Sequence, residues 1–291
     1  MPPKSPVQAL RAALAAARAR LAGLVDGSPG LEAELLLGEA TGLGRARVLA
    51  RLLTHPDALL DAAAGRRFER LVERRRLGEP IAYILGTQGF WTLDLRVTPD
   101  TLIPRPETEL LVETALAELP AQAPLMVADL GTGSGAIAAA LASERPAWTL
   151  IAEDSSVAAI EVARSNARRL GLTNLHTLVG SWLAPFAATS LDAVLSNPPY
   201  VPSGDPHLTR GDLRFEPRSA LSAGADGLDA IRRIVAAAPQ RLRPGGLLAL
   251  EHGYDQGPAV RGVLTQAGLV AVRTKRDLAG HERVTLARRW G

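Results

Sequence analysis

The tetrapeptide Asn197-Pro198-Pro199-Tyr200 follows a short apolar run, Leu191 to Ser196, and carries the residue types needed to hold a flat amino group. An NH2 group conjugated to a carbonyl or an aromatic ring is a weak nucleophile because its lone pair is delocalised, so catalysis on it depends heavily on positioning. The Asn197 side-chain oxygen and the Pro198 carbonyl can accept the two N–H bonds of such a group, and Tyr200 can stack on its flat face. Pro198 and Pro199 stiffen the turn and bring no N–H of their own. Taken alone, the same four residues also read as loop punctuation after a strand.

Upstream, Val127-Ala128-Asp129-Leu130 runs into Gly131-Thr132-Gly133-Ser134-Gly135 and then the Ala-rich stretch Ala136 to Ala142, a strand, glycine turn and helix. Glycines let a backbone pass close to a ligand, and the helix N-terminus behind them offers free N–H groups. The spacing is tighter than the dinucleotide fingerprint and no Gly-Lys-Ser/Thr phosphate loop follows, which favours a cofactor without a pyrophosphate. Thr149 to Asp154 reads as a second strand ending in acid, where Asp154 is placed to take ribose hydroxyls or, equally, to cap the helix Val157 to Leu170. Alternation along the strand turns the neighbouring Glu153 outward. A third strand, Leu175 to Val179, precedes Gly180-Ser181-Trp182, and the fourth delivers Asn197. All these features fall at the C-terminal ends of successive strands, the edge at which open α/β sheets bind ligands.

In that order the motifs resemble a class I S-adenosylmethionine-dependent methyltransferase, and Asn-Pro-Pro-Tyr is similar to the acceptor motif of enzymes that methylate planar exocyclic or amide nitrogens. The segments Glu79 to Gly86, Thr101 to Glu109, Asp212 to Pro217 and Glu282 to Leu286 narrow the resemblance to the bacterial peptide chain release factor glutamine N5-methyltransferases. The N-terminal stretch matches only in length and helical character. The resemblance implies a substrate, the glutamine in the Gly-Gly-Gln loop of class 1 release factors, methylated on its side-chain amide nitrogen, with consequences for translation termination. It implies that Asn197 and the Pro198 carbonyl hold the amide, with Pro199 in the same turn, and that Tyr200 packs on it. Gly131, Thr132, Gly133, Ser134 and Gly135 would lie against the methionine part of S-adenosylmethionine, Asp154 would take the ribose, and Trp182 would border the adenine if it is not an ordinary core aromatic. Asn197 would neighbour the cofactor through its backbone. The family commonly has an acid before that tryptophan. Here Ser181 stands in its place; a hydroxyl can also accept that hydrogen bond, only without charge assistance, and Ser181 ranks below the other contacts. The Pro104 to Pro106 turn, by the same resemblance, lines the acceptor pocket.

The elements around these motifs divide the chain into three expected segments: a helical substrate-docking domain over 1–77, a β-hairpin linker over 78–104, and a methyltransferase domain over 105–291. The expected fold is α/β, with a Rossmann-like seven-stranded sheet. Val7, Leu10, Leu14, Ala17 and Leu21 recur at helical spacing, Ser28-Pro29 can start a second helix that Gly42 ends, and a third runs from Gly44 to Leu53. Beyond His55-Pro56 a longer helix carries Leu60, Ala64, Phe68, Leu71 and Val72 on one face, and Arg74-Arg75-Arg76 reads as its solvated end. The alternation of Trp91, Leu93, Leu95 and Val97 with polar residues, after the run Ile81 to Leu85, predicts a hairpin built from these two segments. Glu107 and Glu109 sit where the positive end of the next helix favours acids. The stretch between Tyr200 and Leu228 is too long for an ordinary connection and is expected to grip the substrate loop. Ile231 to Leu242 reads as a helix, Pro244-Gly245-Gly246 as a turn, and Leu247 to Leu250, Leu269 to Val272 and Arg283 to Ala287 as the last three strands.

With 291 residues and 47% apolar content the chain can bury a large core. It has no uninterrupted apolar run of about 18 residues, so a membrane span is not expected. Arginines at 11, 18 and 20 rule against a secretory signal core, and a cytoplasmic location is expected. The 33 basic residues, of which only Lys4 and Lys275 are lysines, leave a net charge of +3. That is slight for a nucleic-acid binder, and no nucleic acid is expected as a partner. The absence of cysteine excludes disulfides and thiolate metal sites. The five histidines show no ligand spacing, so no metal is expected, and His252 reads as structural. A monomer is the expected state. Two other acceptors suit the same turn, a ribosomal-protein glutamine and the N6 of adenine in DNA. The latter requires a flipped base and a strongly basic face. A non-catalytic binding protein on the same fold is the third class, and an intact acceptor turn and glycine loop argue against it.

Overall fold

The computed structural model describes residues 8–24 and 27–291. Val7 lies outside the described residues. The chain forms two compact units, one made of 1–86 with 209–215, the other of 87–208 with 216–291.

In the first unit β1 (Gln8–Ala9) pairs antiparallel with β2 (Leu59–Leu60). The helices are α1 (Leu10–Leu21), α2 (Pro29–Thr41), α3 (Gly44–Thr54), α4 (Ala62–Arg76) and the short α5 (Ile81–Leu85). Their apolar stripes meet in one core that includes Leu14, Leu21, Leu36, Leu37, Val48, Phe68 and Val72. α2 stops at Gly42, which takes the left-handed conformation at φ 69°. α4 starts at Asp61, whose carboxylate accepts from the N–H groups of Ala63 and Ala64.

Two expectations are corrected in this unit. Ile81 to Leu85 is a helix and not the first strand of a hairpin. A wholly apolar run of five carries no period to separate the two states, and here Pro80 precedes the helix while Gly86, at φ 73°, ends it. Arg75 is not a solvated helix end: it is 2% exposed. Its guanidinium donates to both carboxylate oxygens of Glu32 at 2.9 and 3.1 Å and to Asp212 Oδ1 at 2.9 Å. Arg74 and Arg76 follow the surface pattern, paired with Glu79 and Glu73.

The second unit opens with a hairpin of β3 (Thr87–Phe90) and β4 (Leu93–Arg96), so the hairpin lies wholly downstream of Gly86. Its two-residue turn holds Trp91 at φ 57°. There the Trp91 N–H donates to Glu109 Oε1 at 2.7 Å, and its indole N–H to Glu144. Glu109, the first residue of α6 (Glu109–Glu118), thus clasps the hairpin, and makes no side-chain cap.

The sheet is built from β5 (Met126–Leu130), β6 (Thr149–Asp154), β7 (Leu175–Val179), β8 (Leu191–Ser196), β9 (Leu242–Glu251), β10 (Val270–Arg276) and β11 (Glu282–Arg288). Its order is β10-β11-β9-β8-β5-β6-β7, parallel except for β11, which runs antiparallel to both neighbours. Between the strands lie α7 (Ala136–Glu144), α8 (Val157–Arg169), α9 (Arg218–Leu221), α10 (Asp229–Arg241) and α11 (Gly257–Gln266). The central strands are largely apolar because separate cores cover them on both faces.

From β5 the chain winds outward to β6 and β7, then returns to β8 on the other side. The crevice of such a sheet opens where the winding reverses, beyond the ends of β5 and β8. Ser196 Oγ donates to the Leu130 carbonyl at 2.7 Å and fixes those two ends together. Pro244-Gly245-Gly246, read above as a turn, is a bulge inside β9: Leu242 pairs with Leu191 and Leu247 already with Ala193. Among the described residues no helix is long and apolar enough to cross a membrane.

Candidate active site

Beyond the ends of β5 and β8 lies a cavity of about 600 Å³, walled by Gly131, Gly133, Asp154, Ser181, Trp182, Asn197 and Pro199. The glycine loop, the acid after β6, the tryptophan after β7 and the acceptor turn after β8 therefore converge. The long segment after Tyr200 supplies Pro217, Ser219, Ala220, Ser222, Ala223 and Gly224 to the wall. Pro99, Asp100, Thr101 and Leu102 also border it, as do Asp229 and Arg233, and the Pro104 to Pro106 turn does not. That turn is held from behind by the buried Glu216, which accepts from the Ile103 N–H at 3.1 Å and pairs with Arg105.

Within the glycine loop the five residues do different work. Gly131 has φ 66°, a conformation that strains any other residue, and a Cβ there would press on the ring of Trp182 at 3.3 Å. The Gly133 N–H donates to Asp154 Oδ2 at 3.0 Å. Thr132 and Ser134 turn away from the cavity and are buried. The Thr132 hydroxyl donates to Asp129, and the Ser134 carbonyl accepts from Asn166. Gly135 closes the turn against Ala163 of α8.

Asp154 is not the cap of α8. Ser156 takes that role, accepting from the Ala159 N–H, while Asp154 Oδ1 accepts from the Ser156 N–H at 2.9 Å. Both Asp154 oxygens are thereby steered, which holds the carboxylate at the cavity wall. Trp182 is both wall and core: its ring borders the cavity and packs on one of the two sheet cores, with its backbone at φ 53°.

Glu153 is the clearest departure from the sequence expectation. It is 1% exposed and not turned outward. The alternation rule fails because β6 is covered on both faces, so neither side of the strand is solvent. Neither carboxylate oxygen closes a well-formed hydrogen bond, although Glu153 borders the cavity. Burial, reinforced by the neighbouring Asp154 charge, pushes its carboxyl up to about 8, against the pull of the Gly131 and Trp182 N–H groups. Asp129, fully buried at the end of β5, is likewise pushed up to about 7 by burial, with Oδ1 unpartnered. Asp129, Glu153 and Asp154 thus surround the glycine loop with carboxyl groups, of which Glu153 and Asp154 border the cavity.

A buried carboxyl of this kind weakens the fold as pH rises. Below the ordinary glutamate value of 4.5, Glu153 is neutral folded and unfolded; between there and about 8 the unfolded chain ionises while the buried group stays protonated, so stability falls across that window. Glu153→Gln keeps the shape and removes the ionisation. It is expected to raise the unfolding midpoint of the ligand-free protein near pH 8 by roughly several degrees and to change it little near pH 5. Thermal scans at the two pH values check this, and an equal shift at both would assign the effect to packing.

In the acceptor turn, Asn197 is half-buried and Pro198 buried. Asn197 Nδ2 donates to Thr108 Oγ1 at 3.1 Å, leaving its Oδ1 as the free acceptor. The Tyr200 hydroxyl donates to Glu251 Oε1 at 3.4 Å, and burial pushes the phenol well above its ordinary value. The Tyr200 carbonyl accepts from Gln256. Thr108 and Glu251 carried no sequence signal of their own, since each meets the turn only through the fold. His252, beside Glu251, is fully buried. Its Nδ1–H donates to the Gly253 carbonyl and its Nε2 accepts from Thr285, a structural arrangement that burial keeps neutral.

Comparison with known proteins adds to this geometry. Residues 12–86 match the family model described as PrmC N-terminal domain, and residues 106–210 match Methyltransferase small domain. The chain is 52% identical over 270 residues to a protein of Xylella fastidiosa (strain Temecula1) named release factor glutamine methyltransferase, covering 93% of this chain and 97% of that one. A protein of the same name from Pseudomonas aeruginosa is 53% identical over 256 residues, 88% of this chain and 91% of the other. Among solved structures, a methyltransferase from Pyrococcus furiosus superposes with a TM-score of 0.52 at 18% identity, over 75% of this chain and 98% of that one, a likeness of fold.

Proposed function

This chain belongs to the release factor glutamine methyltransferase family, and we propose that it transfers a methyl group from S-adenosylmethionine to the side-chain amide nitrogen of the glutamine in the Gly-Gly-Gln motif of class 1 release factors. The observation that carries the reading at this site is Asn197. Its amide donates inward to Thr108, and so its Oδ1 is left to face an incoming N–H.

The residues present fit the cofactor. Glu153, whose buried carboxyl oxygens have no partner, and Asp154 border the cavity beside a glycine turn, a setting in which a ligand bringing donors or positive charge would supply the missing partners. Gly131 and Gly133 would face its methionine part, with Thr132, Ser134 and Gly135 shaping that turn. Asp154 would hold the ribose hydroxyls, and Trp182 and Ser181 would border the adenine. When bound, S-adenosylmethionine supplies an electrophilic methyl group.

The protein's own contribution is alignment. Asn197 Oδ1 and the Pro198 carbonyl accept the two N–H bonds of the glutamine amide, Pro199 stiffens the turn, and Tyr200 packs on the amide plane. These acceptors favour the positive charge that develops on the nitrogen. The N-methylated amide, protonated as formed, is acidic enough to lose its proton to water, so no general base is required. The helical unit offers surface for docking the release factor, and we assign it that role. A translation factor as substrate supports action in the cytoplasm, and we propose that the chain acts as a monomer.

Titration of the purified protein with S-adenosylmethionine by calorimetry tests the cofactor assignment. Saturable binding of one equivalent is expected, and absence of heat or of any protection from unfolding would sink it.

A further inference from the structure

An asparagine amide presents an oxygen on one side and an NH2 on the other, and only one of its two flips can receive a substrate NH2. In the wrong flip, two donors would face each other across the acceptor pocket. Asn197 is held in the productive flip by Thr108, whose Oγ1 accepts from Nδ2 at 3.1 Å. A hydroxyl has one proton, and while Thr108 accepts from Asn197 it must spend that proton on another acceptor. Glu251, at the end of β9, offers that acceptor: its Oε1 takes the Tyr200 O–H at 3.4 Å, and its Oε2 is buried without a hydrogen-bond partner, beside Thr108. Thr108 is 4% exposed and Glu251 1%, so water does not compete for these bonds.

We infer that Thr108 and Glu251 are positioning residues for methyl transfer: the buried Glu251 carboxylate sets the direction of the donor chain from Asn197 through Thr108 and, in parallel, anchors Tyr200. This rests on the proposed function of the site. An ionised carboxylate only accepts, so it leaves the chain one direction in which to run. A protonated carboxyl can donate instead to Thr108, whose own proton is then free to turn toward Asn197 and favour the wrong flip.

The charge state of Glu251 falls in an accessible range. Burial pushes its carboxyl up to about 7, and Glu107 adds to that. Arg283, Thr108 and Tyr200 oppose the shift, and the Arg105 charge acts on Tyr200. Turnover therefore declines as pH falls through about 7, as the directing charge is lost.

Steady-state methylation of a class 1 release factor across about pH 6 to 9, with kcat and cofactor Kd measured separately, tests the inference in the wild type, Thr108→Val, Thr108→Ser and Glu251→Gln. Thr108→Val and Glu251→Gln are expected to lose kcat by about 10- to 100-fold, with cofactor Kd changed by less than about threefold and Thr108→Ser restoring most of the rate. The wild type should show the acid limb near pH 7, and Glu251→Gln should lack it. Wild-type kcat in the variants, an acid limb that persists in Glu251→Gln, or a parallel loss of cofactor affinity in every variant would overturn it. A wild type that binds cofactor but methylates no release factor would instead overturn the functional reading beneath it.

Discussion

Replacing Asn197 with alanine is expected to lower kcat for release factor methylation by about 100-fold or more, since the lost acceptor acts on charge that develops only in the transition state. Cofactor affinity should change far less. The backbone of residue 197 stays in the cavity wall, and Ser196 continues to tie the end of β8 to the end of β5 through the Leu130 carbonyl. Asn197→Asp is an informative companion: it keeps an acceptor of the same size but cannot donate to Thr108, and so loses the fixed orientation. Single-turnover rates at saturating cofactor separate these effects from binding. Wild-type turnover in Asn197→Ala would contradict the assigned role.

Arg75→Ala is expected to produce the largest loss of stability in the helical unit, about 3–5 kcal/mol. Arg75 is 2% exposed and Glu32 5%, so truncating the arginine strands a carboxylate where water cannot reach it, with Asp212 losing its partner as well. Most of that penalty is the unpaired charge and not the lost attraction. A second substitution, Glu32→Leu, should therefore recover part of it in the Arg75→Met background. The chain's tryptophans, at 91, 148, 182 and 290, all lie outside the helical unit, so fluorescence would miss the event. Hydrogen exchange of peptides from α2 and α4 reports it directly. Unchanged protection in Arg75→Ala would show that the pair contributes nothing net.

The sheet was legible because its central parallel strands, covered on both faces, read as largely apolar runs, and these run into the residues proposed for the site. Gly131 to Gly135, Asp154, Trp182 and Asn197 could be placed on one edge by chain order alone, and the structure brings Gly131, Gly133, Asp154, Trp182 and Asn197 to one cavity. The departures share a cause. Alternation turned Glu153 toward solvent that is absent on either side of β6, and helix-end electrostatics gave Arg75 to water although Glu32 awaits it 43 residues away. Thr108 reaches Asn197 across 89 positions and Tyr200 reaches Glu251 across 51. Such pairings follow from topology, and nothing in the local sequence of either partner announces them. The helix at Ile81 to Leu85 is the local failure: five apolar residues between Pro80 and Gly86 satisfy either period. For the same reason the positive φ of Trp91 and Trp182 could not be read, since the turns that impose it are set by the strands they join.

The most direct test of the account is transfer of labelled methyl from S-adenosylmethionine to a class 1 release factor, run beside its Gly-Gly-Gln→Gly-Gly-Ala variant, ribosomal protein and duplex DNA. Label on the release factor alone, lost in the variant and localised by mass spectrometry to the glutamine side chain, is the predicted result. Label on ribosomal protein or DNA with none on the release factor would contradict it.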